Sequence, residues 1–121
     1  MFKYRVRPGY GCKKLLVEFM PDSSNESFLA ALRSVFAANS IKRKSKEDLV
    51  FLFRTVMESP AGFFVLDHDE WGMVWIHAEA NQPVIPYLDR ILAASGQFQK
   101  EEVEYAQYER IPPQAKHSPQ P

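Results

Sequence analysis

Alternating hydrophobic and polar positions predict two strands near the start of the chain. Phe2, Tyr4 and Val6 alternate with lysine and arginine, and a similar alternation runs through 15–20. A period of two is typical of a strand with one buried face. The stretch "RPGYG" between the two strands contains proline and glycine, which favour turns. Three further strands are predicted at 63–67, 72–78 and 100–111.

Apolar residues spaced three and four positions apart predict three helices. Their segments are 23–40, 45–57 and 81–96, and the expected stop residues are Asn39, Ser40 and Gly96. Ser23 with Glu26, and Ser45 with Asp48, have the spacing of an N-terminal capping box. The run "LVFLF" inside the second segment is also compatible with a buried strand. The capping residues and the later Val56–Met57 pair favour a helix there.

The predicted order of elements is β-β-α-α-β-β-α-β. Without the first strand and the second helix it becomes β-α-β-β-α-β, which is the ferredoxin-like order. We therefore expect an α+β fold, a two-layer sandwich of a mainly antiparallel sheet with helices on one face, plus an extra N-terminal strand and an extra helix. Lys3, Arg5 and Arg7 on the first strand complement Glu102 and Glu104 on the last, so these strands are predicted neighbours.

Composition is that of a globular protein with a single domain. The chain has 121 residues, of which 45% are hydrophobic and 25% charged, and one core is predicted over 1–111. The proline-rich stretch 112–121 is predicted to be a disordered tail. Fifteen basic and fifteen acidic residues cancel, so binding to nucleic acid or anionic lipid would need a local patch.

Cysteine usage and hydropathy indicate a cytoplasmic protein. Cys12 is the only cysteine, so it has no partner for an intrachain disulfide, which suits a reducing compartment. No apolar run approaches the ~20 residues needed to span a bilayer, and the N-terminal stretch lacks the apolar region of a signal peptide. We therefore expect a cytoplasmic location and no membrane association.

The densest group of chemically versatile side chains lies in 66–79, "LDHDEWGMVWIHAE". A metal site needs ligands that converge within ~2.0–2.6 Å of one point. His68 is predicted at the tip of a hairpin and His77 at the far end of the returning strand, roughly 15–20 Å away at ~3.3 Å per residue. The acidic positions lack the glycine and distal glutamate of an EF-hand. We therefore predict no metal site and no cofactor.

His77, Glu79 and Cys12 are the candidates for a small-molecule enzyme. His77 and Glu79 lie two positions apart on one strand face, so they can share a ligand. A general base also needs a nucleophile or substrate within reach, and no sequence argument brings Cys12 close to His77. The stretch "GYGCKK" joins two strands and leads into no helix N-terminus that could face a phosphate. A non-enzymatic protein is therefore favoured, with an enzyme as an alternative.

The most distinctive surface is predicted on the strand at 72–78. Small aliphatic residues on one of its faces suit packing against the helices, and they are Val74, Ile76 and Ala78. The opposite face carries the candidate binding residues Trp71, Met73, Trp75 and His77. An exposed apolar patch of this kind marks an interaction site unless the second helix, a second subunit or a ligand covers it. The first functional hypothesis is a binding or regulatory module with a protein partner or a homodimer on this face.

RNA binding is a second hypothesis. The stretches 14–36 and 71–92 resemble the first and third strands, each with its following helix, of RNA-recognition-motif domains. Those domains stack bases on aromatic residues of two central strands. At the corresponding positions this chain has Trp75 but also Leu16 and Met73, and Glu18 would repel phosphate.

Overall fold

The computed structural model of the chain describes residues 1–20 and 25–109, without the side chain of residue 25. Over these residues the fold is α+β, with a seven-stranded mixed sheet and two helices. The predicted tail at 112–121 and the predicted cap at Ser23 lie outside the described residues. In chain order the elements are β1 Phe2–Pro8, β2 Leu15–Met20, α1 Asn25–Ala38, β3 Lys42–Asp48, β4 Leu52–Ser59, β5 Gly62–Asp69, β6 Val74–His77, α2 Val84–Ala94, β7 Phe98–Lys100 and a 3-10 turn at Tyr105–Tyr108.

The strands follow the order β3-β4-β5-β6-β2-β1-β7 across the sheet. Five of the six neighbouring pairs are antiparallel, and only the pair of β1 with β7 is parallel. The prediction that the first and last strands are neighbours is therefore confirmed. The long strands β4 and β5 form a hairpin around Pro60 and Ala61. It has eight register pairs, from Leu52 opposite Asp69 to Ser59 opposite Gly62.

One face of the sheet packs with both helices in a single hydrophobic core, and we call it the core face. Alternate strand residues enter this core because successive side chains point to opposite faces. From the strands it contains Tyr4, Val6, Val17, Phe19, Met57, Phe64, Val74, Ile76 and Phe98. From the helices it contains Phe28, Ala31, Leu32, Val35, Phe36, Val84, Ile85, Leu88 and Leu92. We call the opposite face of the sheet the outer face.

Of the three predicted helices, the first and the third are present at the positions that the three-and-four spacing indicates. α1 ends at Ala38, and Ser40 then takes a left-handed conformation with φ of 58°. α2 begins just after Pro83, a position where a missing backbone N–H costs little, and it is followed by Gly96 with φ of 77°. The predicted stop residues of both helices therefore lie at the ends of the helices.

The predicted second helix at 45–57 is wrong. This segment belongs to β3 and β4, which form a hairpin with the turn at Leu49–Phe51, and the basic stretch "IKRKSK" lies largely in β3. In β4, Phe53, Thr55 and Met57 alternate with residues on the outer face, so period two prevails over the helical spacing. Eight register pairs with β5 satisfy the backbone of β4, and this pairing outweighs the local preference.

The predicted last strand at 100–111 is also wrong in its bounds. β7 covers Phe98–Lys100, and the residues that follow lead into the 3-10 turn, where Tyr105 is 48% exposed. The charge pairing between the end strands is made by Glu101, which lies 3.4 Å from Lys3 and 3.5 Å from Arg5. It was predicted at Glu102 and Glu104, which are exposed.

Candidate binding surface on the outer face

Strand register brings the residues of the outer face into rows. Trp75 on β6 lies between Glu18 on β2 and Asp67 on β5, and beyond Asp67 comes Arg54 on β4. Arg5 on β1 lies beyond Glu18 in the same row. On each side of the central tryptophan, a carboxylate is therefore the direct neighbour and an arginine lies beyond it.

Five large hydrophobic residues are exposed in two adjacent turns at one end of the sheet. They come from the β3–β4 turn and the β5–β6 turn, and we call this cluster the apolar tip: Leu49, Val50, Phe51, Trp71 and Met73. Exposure is 84% at Val50, 56% at Phe51, 72% at Trp71 and 45% at Met73. Burial of such side chains is the main favourable contribution to association. Because they are exposed here, a partner that covers them would gain this free energy.

The apolar tip is held in place by hydrogen bonds. The Asp69 carboxylate accepts hydrogen bonds from the backbone N–H of Trp71 at 3.0 Å and of Met73 at 2.8 Å. The backbone N–H of Glu70 donates to the carbonyl of Phe51 at 3.3 Å, which joins the two turns. The rings of Phe51 and Trp71 lie 5.9 Å apart. The tip is therefore organised in the isolated chain, which lowers the entropy lost on binding.

The predicted division of β6 into two faces matches the structure. Val74, Ile76 and Ala78 are buried, whereas Trp75 and His77 are half-buried on the outer face. Trp71 and Met73 precede β6 in the turn, where both are exposed, and they line a 380 Å³ cavity together with residues of β1 and β2. The second helix that was considered as a cover is absent from the described residues, because its segment forms strands.

A polar cluster sits beside Trp75 and centres on Asp67, a buried carboxylate with 1% exposure. The Arg54 guanidinium donates through Nε at 2.9 Å and through Nη2 at 3.0 Å, a two-point contact. The Nε2 atom of His77 lies 2.8 Å from Asp67 Oδ2. The side chains of Arg54 and His77 are 38% and 29% exposed, so they cover the carboxylate and still reach solvent.

The ionised state of Asp67 is favoured by its partners. Burial of the carboxylate acts to raise its pKa, but hydrogen bonds from Arg54 and His77 outweigh this and hold the pKa of Asp67 below its usual value. The hydrogen bond to Asp67 in turn raises the pKa of Arg54. Asp67 and Arg54 thus form an ion pair, and the same carboxylate orients the His77 ring through its contact with Nε2.

The enzymatic candidates are only partly brought together. His77 and Glu79 line the same 590 Å³ cavity at the end of β6. Cys12 lies in a different cavity of 620 Å³, beside Tyr105 and Tyr108. No serine, threonine, cysteine or lysine is among the described residues that line the cavity of His77. The carboxylate that orients His77 is already neutralised by Arg54, so the geometry offers a held imidazole without a nucleophile.

The two histidines of the hairpin point to opposite faces of the sheet. His68 stands opposite Val74, which belongs to the core face, whereas His77 belongs to the outer face. Across 1–20 and 25–109, no group of three His, Cys, Asp or Glu side chains is placed to hold a metal ion.

Sequence reasoning missed Arg54 and Asp67. Asp67 ends the strand predicted at 63–67, and it follows Phe63 and Val65 at spacing two, so it shares their face. Arg54 was placed inside the predicted helix. Only the pairing of β4 with β5 puts these two residues opposite each other.

Comparison of the chain with known protein families, with curated proteins and with solved structures found no match. Within the described part of the chain, no helix is both long enough and apolar enough to cross a membrane.

Proposed function

We propose that this chain is a non-enzymatic protein-binding module that docks a protein through its apolar tip and the adjoining outer face. The observation that carries the proposal is the exposure of Val50, Phe51, Trp71 and Met73 in two turns that are fixed by hydrogen bonds. Exposed aromatic and methionine side chains are enriched at the centres of protein interfaces. Trp75 and His77 continue this surface along β6.

The charges around the tip favour a protein over a nucleic acid or an anionic membrane. Four acidic residues lie in or beside the two turns: Glu47, Asp48, Asp69 and Glu70. Carboxylates at these positions repel phosphate groups, which supports a protein partner for this surface.

The partner that we propose to test first is a second copy of the chain. An isologous contact needs one self-complementary patch. The outer face beside the apolar tip carries arginines and carboxylates in one row, which suits that arrangement. Sedimentation equilibrium of the wild-type chain should show a monomer–dimer equilibrium in the micromolar range. Trp71→Ser should weaken the dimer by at least about tenfold, as expected for a buried aromatic anchor.

Tyr105→Ser is the matched control, because Tyr105 is 48% exposed but lies in the 3-10 turn, outside the apolar tip. It should leave the association constant unchanged. A chain that stays monomeric up to about 1 mM, or one in which both variants behave like the wild type, would rule out self-association through the tip.

We also propose the finer fold assignment, a two-layer ferredoxin-like core with β1 inserted. Support comes from β2, β5, β6 and β7, which with α1 and α2 follow the β-α-β-β-α-β order. β2 and β5 run in the same direction with β6 between them, as in a split β-α-β unit. β6 and β7 likewise run in one direction, with β2 and β1 between them.

A cytoplasmic location is proposed as well, supported by the exposed free thiol of Cys12.

A further inference from the structure

A second candidate site lies on the core face, in a groove between α1 and the β3–β4 hairpin. Its volume is 670 Å³, within the range of about 300–1,000 Å³ that small-molecule sites occupy. The groove exists because β3 and β4 extend the sheet beyond the area that α1 covers. Phe53 in β4 is 38% exposed as a result.

The floor of the groove is apolar. Side chains from α1, β4 and β5 form it, with Leu32, Phe36, Met57 and Leu66 among them. Leu32, Phe36 and Met57 also belong to the core, so the floor is a rigid continuation of the packed interior. A flexible apolar chain laid on such a floor gains about 0.8 kcal/mol for each methylene that it buries.

The rim of the groove is basic. It carries Arg33 from α1 and Arg43 and Lys46 from β3, and no aspartate or glutamate lines the groove within the described residues. Neither arginine forms an ion pair or a side-chain hydrogen bond with any described residue. Lys46 has a long contact of 3.9 Å with the exposed Asp48, and its Nζ atom lies 5.9 Å from the centroid of the Phe53 ring. The charges of Arg33 and Arg43 are therefore unpaired, although the whole chain is neutral.

We propose that this groove binds an amphipathic anion, a carboxylate or phosphate headgroup with a single unbranched apolar chain. The headgroup lies between Arg33 and Arg43, whose planar guanidinium groups match the oxygens of carboxylate and phosphate. The chain lies along the apolar floor towards Leu66. None of the five residues of the apolar tip lines this groove, so the site does not depend on the protein-binding role proposed above.

Calorimetry with three probes of one chain length tests the charge requirement. Decanoate and decyl phosphate carry the two anionic headgroups, and decyltrimethylammonium carries the same chain with a positive charge. At least one anion should bind with 1:1 stoichiometry and a dissociation constant in the range of about 1–100 μM. The cation and acetate should bind at least about tenfold more weakly. Whichever anion binds more tightly identifies the headgroup.

Two variants locate the site. Arg33→Gln combined with Arg43→Gln should weaken binding of the preferred anion by at least about tenfold. Arg90→Gln is the control, since Arg90 is another exposed helix arginine but lies on α2, outside the groove. Amide chemical shifts should move in α1, β4 and β5 of the wild-type chain and remain unmoved in the apolar tip.

Several results would overturn the proposal. They are equal binding of the cationic and anionic probes, unchanged affinity in the double variant, shifts confined to the apolar tip, and no saturable binding below about 1 mM. Groove shifts that follow protein concentration without added probe would mean that a second copy occupies the groove, and would also contradict it. Thermal melting of each variant confirms that it remains folded before the affinities are compared.

Discussion

At the scale of single residues, Asp67 is the position where sequence and environment conflict most. A carboxylate with 1% exposure is tolerated because Arg54 and His77 both contact it. Removing its charge leaves the Arg54 guanidinium, whose side chain is 38% exposed, able to turn towards water. We therefore expect Asp67→Asn to lower the free energy of unfolding by about 1–3 kcal/mol at neutral pH, measured by denaturant titration.

The same variant should change the response to acid. Since the pKa of Asp67 is lowered in the folded state, its contribution is complete above the ordinary carboxyl pKa of about 3.9. That contribution is lost as the pH falls through the lower pKa of the folded protein. The stability gap between wild type and Asp67→Asn should thus narrow below about pH 4. Asp48→Asn, at a carboxylate with 65% exposure, should show almost no gap at any pH.

At the scale of elements, the ends of the two helices offer a reciprocal test. Ser40 has φ of 58°, a conformation that costs a side-chain-bearing residue about 1–2 kcal/mol relative to glycine. Ser40→Gly should raise the free energy of unfolding by about 0.5–1 kcal/mol, after the entropy of the unfolded glycine is included. Gly96 has φ of 77° and open space around an added Cβ, so Gly96→Ala should lower it by about 1 kcal/mol.

Denaturant midpoints of the two helix-end variants measure both effects. Equal and small shifts in the same direction would mean that the backbone relaxes at both positions and that left-handed strain is not maintained there.

The elements also show which parts of the fold could be predicted from the sequence alone. Both helices and the strands β1, β2, β5 and β6 follow from local periodicity. The placement of Trp75 and Ile76 on opposite faces of β6 follows from spacing two. The β3–β4 hairpin could not be obtained that way, because β3 reads as a charged linker and "LVFLF" fits two periods. Assigning it to a helix also hid Leu49, Val50 and Phe51, three of the five residues of the apolar tip. The Arg54–Asp67 pair depends on strand partners, which local pattern does not contain.

At the scale of the whole molecule, stability should be uneven across the sheet. All seven residues of β3 are exposed, whereas Tyr4, Val17 and Ile76 in the central strands have 0% exposure. Amide hydrogen exchange should therefore be fastest in β3 and slowest in β1, β2 and β6, because local opening of an edge strand exposes little apolar surface. Mass spectrometry of exchanged peptides measures this gradient. Equal protection in β3 and β2 would contradict it.

The pairing of β1 with β7 has a consequence for how the chain reaches this fold. Phe2 stands opposite Phe98, so the pairing closes a loop of 96 positions. Contacts between distant positions slow folding, because the entropy of loop closure is lost before the contact forms. During synthesis, β1 and β2 emerge long before β7 does. The free edge of β1 therefore stays unpaired until residue 100 has left the ribosome, and in that interval its backbone is open to strands of other chains.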